Sequence, residues 1–198
     1  MNKYRISGLF TVEDKSFTFL GELLGRILDE ATKDKDYECS KFCMIISQTF
    51  YKVSADPNKS RIFLQEAIET HEIWKSTDFW EGVIKYSINE EAHGQKATNT
   101  YQNETPEDKQ MRIQSVAFGQ LLSFSFNMLS FLIPKEKVKD TINNFCKIYK
   151  IQDEMAMQIL KSVDDYSDSI DKQVKMDIID DNFVNITDEV NDGNCIYV

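Results

Sequence analysis

Glycine, proline and histidine are scarce, with seven, three and two copies in 198 residues. So few breakers exclude a fold made of many short strands and tight turns, and point to long helices instead. Two histidines leave little material for a metal centre or a nucleophile–base pair. The sequence also has no glycine-rich phosphate loop, and no long run free of charge apart from Val116 to Ile133. The four cysteines, Cys39, Cys43, Cys146 and Cys195, are too few to staple a chain of this size, which has enough ordinary core residues to do without disulfides. A reduced, cytoplasmic compartment is the expectation, and the interrupted apolar pattern after Lys3 and Arg5 does not form a signal peptide.

Basic charge is lacking as well. Ten acidic residues against two lysines between Asp164 and Val198 account for -8 of the formal net charge of -10, leaving -2 for residues 1–163. Neither part offers a stripe of Lys and Arg for phosphates or anionic lipid, so nucleic acid is excluded as the expected partner. The asymmetry divides the chain into a helical domain, 1–163, and a flexible acidic tail, 164–198.

What is present is amphipathic. Phe17, Leu20, Leu23, Leu24, Ile27 and Leu28 recur at helical spacing, and so do Cys39, Phe42, Cys43, Ile46 and Phe50. Lys33 to Asp36 separates the two helices, and the second extends to Val53. Pro57 marks a turn, after which Ser60 caps a third helix carrying Ile62, Phe63, Ala67 and Ile68. A fourth spans Phe79 to Ile88, and residues 89–104 are polar enough to read as the main internal loop. Thr105-Pro106-Glu107-Asp108 then combines a capping hydroxyl, a proline at the first helical position and two acids at the positive end of the helix dipole. The helix that starts there runs to Ile133, where Pro134 stops it. Two more follow, over 135–149 and 153–163. The fold class is therefore all-α: one bundle of about six to eight helices around a long central buried helix, about 106–133.

Val116 to Ile133 is at the lower length limit for crossing a bilayer, and a membrane-inserted protein is one alternative reading. Gln120, Asn127 and three serines would then lie in lipid, with no flanking basic cluster, so a protein environment is the expectation. Gly119, Ser123, Asn127 and Ser130 would let another backbone come close.

Candidate chemical sites are few. Cys39 and Cys43, one turn apart, supply half a zinc set with no second pair at ligand spacing, so buried thiols are the better account. His71-Glu72-Ile73-Trp74-Lys75 begins like a zinc-protease helix but has Lys75 where the second histidine belongs. Glu90 and Glu91 read as solvated loop carboxylates. No catalytic, cofactor-binding or metal-ligating residue is assigned and no cofactor is expected; an enzyme with an unrecognised carboxylate-based site is the other alternative. For partner binding, Trp74 and Trp80 could form an exposed aromatic anchor, although their helical phasing favours the core. In the tail, Phe183 and Ile186 stand three apart behind acids, which resembles a short autophagy-type motif that binds by strand addition. The final Cys195-Ile196-Tyr197-Val198 is formally a prenylation box, so Cys195 is the candidate lipidation site and the only route to a peripheral membrane contact. The same four residues fit a PDZ-type ligand.

Three segments carry a family resemblance. Cys43 to Tyr51, Ile73-Trp74 with Phe79-Trp80, and Phe118-Gly119-Gln120-Leu121 leading into Asn127-Met128-Leu129 together resemble the helical domain named after set-binding factors, found in the catalytically inactive myotubularins. The likeness covers roughly residues 15 to 160. It implies a non-enzymatic scaffold or adaptor that binds proteins, a small GTPase or its regulator among them, in membrane traffic or cytoskeletal signalling.

Overall fold

A computed structural model describes residues 14–53, 61–97 and 104–169, and the fold is all-α, with six helices among these residues. Helix α1 is Asp14–Asp34, α2 Tyr37–Thr49, α3 Thr77–Ala97, α4 Pro106–Ser130 and α5 Lys135–Tyr149, and α6 covers 153–169. A two-stranded antiparallel hairpin, β1 (Tyr51–Val53) and β2 (Arg61–Phe63), and two 3-10 turns, Leu64–Ala67 and Glu72–Lys75, fill the stretch between α2 and α3. The acidic tail lies outside the described residues from 170 onward.

The helix boundaries have local causes. Lys35 takes a left-handed conformation (φ 52°), and the Asp36 carboxylate accepts from the Cys39 amide at 2.9 Å, so α1 stops and α2 starts within two residues. At α4 the Thr105 hydroxyl accepts from the Asp108 amide at 3.1 Å while Asp108 reaches back to the Thr105 amide at 3.3 Å. The helix closes at Ser130, three residues short of Ile133. Leu132 swings to φ 61° and the Ile133 amide bonds the Met128 carbonyl at 3.0 Å, so Phe131 and Ile133 both turn inward while Leu132 faces solvent.

Other expectations are corrected. The residues after Thr49 leave the helix: Tyr51, Lys52 and Val53 pair with Phe63, Ile62 and Arg61. Tyr51 packs on Phe63 at 5.5 Å and lies under the Arg61 guanidinium at 4.4 Å, cross-strand contacts that a helix could not make. The third helix expected after Ser60 is thus a strand followed by a single 3-10 turn. Residues 89–97 extend α3 instead of looping, because the Lys41 ammonium holds Glu90 at 2.8 Å, Gln120 donates to Glu91 and Arg112 donates to the Ala92 carbonyl at 2.7 Å. Helix α6 continues past Val163, where Asp164 meets Lys139 at 2.6 Å and the Tyr166 ring packs at a tilt against Phe126 at 5.0 Å.

Consecutive elements pack as neighbours: α1 on α2, α2 on α3, α3 on α4 and α4 on α5, with the first 3-10 turn wedged beneath α1 and α2. Helix α4 is about 37 Å long and buries Val116, Ala117, Leu121, Phe124, Met128 and Leu129. Gly119 and Ser123 form an uncharged strip open to solvent, and nothing lies within 4 Å of a Cβ built on Gly119. The close backbone approach expected there is absent; Asn127 and Ser130 instead accept from the Gln48 amide at 3.2 and 3.1 Å. None of the helices among the described residues is long and apolar enough to cross a membrane.

One close approach is at Gly21 in α1, where an added Cβ would come 2.6 Å from Ala67 Cβ, and another is at Gly82 in α3, where it would overlap the Tyr37 ring. Gly25, one turn on from Gly21, has nothing within 4 Å. Gly21→Ala is therefore expected to destabilise by about 1–3 kcal/mol through overpacking, whereas Gly25→Ala should stabilise by about 0.5–1 kcal/mol through helix propensity. Chemical denaturation of the two variants reads both signs, and a Gly21→Ala protein as stable as wild type would contradict the packing. Trp80 offers a second measurement: its indole N–H donates to the buried Trp74 carbonyl at 2.7 Å. Trp80→Phe strands that carbonyl and should cost about 1–3 kcal/mol in the same assay.

Candidate functional site

The tryptophans are not an exposed anchor. Trp74 and Trp80 are 1% and 0% accessible, and their rings enclose Phe131, whose centroid lies 4.3 Å from Trp74 and 6.5 Å from Trp80. As binding anchors they are corrected to core residues, because each indole N–H is already spent inside, Trp74 on the Ile68 carbonyl and Trp80 on that of Trp74. Phe183, Ile186 and Cys195 lie outside the described residues.

Nor do the chemical candidates come together. Cys43 is buried, with its thiol pushed up to about 12 mainly by desolvation, and Cys39 is half-buried beside it. Such a thiol gives up its proton reluctantly and makes a poor metal ligand or nucleophile. His71 is a capping residue: Nδ1 accepts from the Ile73 amide at 3.2 Å, which leaves Nε2–H to donate to Asp29 at 3.1 Å. Lys75 beside it pairs with Glu72 at 2.7 Å. Among the described residues no three His, Cys, Asp or Glu side chains gather to hold a metal ion.

Among the described residues three carboxyls move, all downward. Hydrogen bonds from Lys75, Arg112 and Lys139 hold Glu72, Glu104 and Asp164 respectively below the usual carboxylate range. The Glu104–Arg112 pair is the enclosed one, with both side chains 7% accessible, Nε to Oε1 at 2.7 Å and Nη2 to Oε2 at 3.0 Å. Its geometry is a bidentate fork, and Arg112 also donates to α3, so the pair fastens the start of α4 to the preceding helix.

What the structure does assemble is a surface. Helices α1 and α2 form a hairpin whose open end is fixed by Lys52, at 2.9 Å from Asp14. On the side away from the core runs a groove of about 380 Å³, lined near the turn by Arg26, Ile27, Glu30, Ala31 and Asp34 of α1 and Asp36 and Cys39 of α2. Helical spacing carries the same two faces toward the open end, through Leu23 and Leu20 on α1 and Phe42 and Ile46 on α2. Leu20, Ile27, Cys39 and Ile46 are half-buried against the core. Leu23 at 40% and Phe42 at 62% exposure stand outside, as do Phe19 and Ile45. The surface is apolar along the helical faces and mixed in charge near the turn, where Glu30, Asp34 and Asp36 stand with Arg26 and Lys33 pairs with Glu30 at 2.6 Å. Periodicity alone does not separate Leu23 and Phe42 from the core-facing residues; the signal that does is width, since each helix carries more apolar residues than one core-facing stripe can bury.

The depressed carboxyls fix a pH dependence. Each favours the folded state above its unfolded value, about 4, and that contribution is lost as pH falls through the lower folded value. At neutral pH, Glu104→Gln should lower the thermal midpoint by several degrees. As pH falls below the usual carboxylate range the gap should narrow, because wild-type Glu104 then loses its charge as well. Melting curves of both proteins across this range test it, and a gap independent of pH would rule out the ion pair as its source.

Set against protein-family models, curated proteins and solved structures, the chain matches none.

Proposed function

We propose that this protein is a non-enzymatic interaction module, a cytoplasmic scaffold or adaptor domain that binds another protein. The observation that carries the reading is the α1–α2 hairpin, which exposes Leu23 and Phe42 on the helical faces that continue the groove lined by Ile27, Ala31 and Cys39. Large apolar side chains gathered on a helical surface are the usual mark of a docking face, and a groove of this form suits the apolar side of an amphipathic partner helix. The carboxyls support it too: general acid chemistry asks for a carboxyl pushed up, and Glu72, Glu104 and Asp164 are all held down by cations. The resemblance to the set-binding-factor domain supports a setting in small-GTPase-linked membrane traffic or cytoskeletal signalling, with a small GTPase or its regulator as the partner class. Cys195, Phe183 and Ile186 are accessory candidates, the first for a lipid and the others for strand-adding contact.

The test is comparative capture from cytosol on the intact protein and on its Leu23→Asp and Phe42→Asp variants. Both positions are open to solvent, so each substitution should leave stability within about 0.5 kcal/mol. A specific partner is expected on the intact protein and reduced at least about tenfold on either variant, equivalent to losing about 1.4 kcal/mol of binding. Equal retention by all three proteins would remove this face from the reading.

A further inference from the structure

We propose that the outer face of the α1–α2 hairpin joins two copies of this chain in a symmetric dimer, with Phe19, Leu23, Phe42 and Ile45 at its centre. Self-association names an occupant of the docking face and rests on that reading of it.

Seven of the twelve exposed large apolar residues among the described residues fall between Phe19 and Val53, on α1, α2 and their continuation into β1. Helices α1 and α2 bury their opposite sides in one core, through Phe17, Leu24 and Leu28 on the first and Cys43 and Met44 on the second, so their exposed sides look the same way. Phe19 and Phe42 are 62% exposed, Phe50 and Ile45 47% and Leu23 40%. The three rings leave about 340 Å² open, and Leu23, Ile45 and the partly exposed Leu20, Ile27 and Ile46 bring the apolar area to about 500 Å². Homodimer interfaces are about 65% apolar, so such a patch is the apolar share of about 800 Å² per copy, the area that a specific, stable interface buries on each side.

Shape and charge favour a second copy. Each helix offers one phenylalanine and, a turn further on, one aliphatic residue: Phe19 and Leu23 on α1, Phe42 and Ile45 on α2. A two-fold axis that lays α1 of one protomer on α2 of its partner therefore sets apolar against apolar at both crossings. Residues 14–53 hold seven acids and six bases, a net of -1. Near the turn, Glu30 is answered by Lys33 at 2.6 Å and the Asp36 carboxylate by the Cys39 amide at 2.9 Å. Net charge of one sign keeps like molecules apart, and -8 of the chain's -10 belongs to residues 164–198. Two hairpins meet without that repulsion.

The dimer closes the hairpins face to face as four helices. A different protein reaches Leu23 and Phe42 only by displacing a copy, so its apparent affinity falls as the concentration of this chain rises.

Sedimentation velocity of the full chain, free of any other protein, should show a dimer that gives way to monomer on dilution. Leu23→Asp and Phe42→Asp each enter a two-fold interface twice, so a tenfold loss per site raises the dissociation constant about a hundredfold. Met157→Asp, at an exposed position of α6, should leave it unchanged. Cys39, half-buried in the groove, gives a readout that needs no substitution. Its maleimide labelling, resolved by peptide mass spectrometry, should slow as the wild-type concentration rises through the dissociation constant, with the buried Cys43 and Cys146 as references. A monomer at every concentration overturns the dimer, as does a dimer that neither aspartate weakens or whose formation leaves Cys39 labelling unchanged. Oligomers that keep growing with concentration overturn it too, since a face of this symmetry closes at two. Capture of a cytosolic protein without self-association removes the dimer and leaves the docking face standing; self-association without capture removes only the foreign partner.

Discussion

Two indole hydrogen bonds hold the middle of this molecule. Trp74 donates to the Ile68 carbonyl and Trp80 donates to the Trp74 carbonyl, each at 2.7 Å and each out of reach of water. Both acceptors belong to the stretch between the β-hairpin and α3, where carbonyls have few backbone partners: that of Ile68 also takes the His71 amide at 3.0 Å, and that of Trp74 takes the Trp80 indole. The indoles meet that need and at the same time place two large rings against Phe79 and Phe131. Phe131 is the residue on which α4 ends, so the same cluster sets where the longest helix stops and where α5 begins. Remove the hydrogen bonds and the irregular stretch has buried polar groups without partners; remove the rings and the ends of α3 and α4 lose their common contact.

This dependence explains which parts of the fold were legible in the sequence. Boundaries written in local chemistry could be read: the Thr105-Pro106 start, the break between Asp34 and Tyr37, the stop before Pro134. Boundaries set by distant partners could not. Nothing near Glu90 and Glu91 announces a helix, since their fixing groups, Lys41 and Gln120, stand 49 and 29 residues away. The β-hairpin was hidden because Arg61, Ile62 and Phe63 fit a helical period as well as a strand, and the pairing with Tyr51, Lys52 and Val53 decided the matter. The left-handed Leu132 was hidden too, because leucine seldom adopts that conformation and the burial of both its neighbours imposes it here.

The candidate surface was half legible for a related reason. Apolar spacing in α1 and α2 is visible in the sequence, but it does not say which of two stripes the core will take. The core takes Phe17, Leu24 and Leu28 on one helix and Cys43 and Met44 on the other. Gly21 sharpens that choice, because only a residue without a side chain lets Ala67 approach on that side. The remaining apolar residues are left on the flank, with Leu23 and Phe42 open to solvent. The aromatic pair that looked most like a binding anchor from its composition is the least accessible, and the plainer Leu23 and Phe42 are the ones outside.

The bidentate pair of Arg112 and Glu104 fixes more than two side chains. By gripping the Ala92 carbonyl as well, Arg112 sets the end of α3 and the start of α4 at a constant separation. The connection over 98–103 therefore spans a gap that does not depend on its own sequence. Doubling a connection of that kind adds only about 0.6 kcal/mol of closure entropy. This is the place where the chain can gain residues while the helices on either side keep their register.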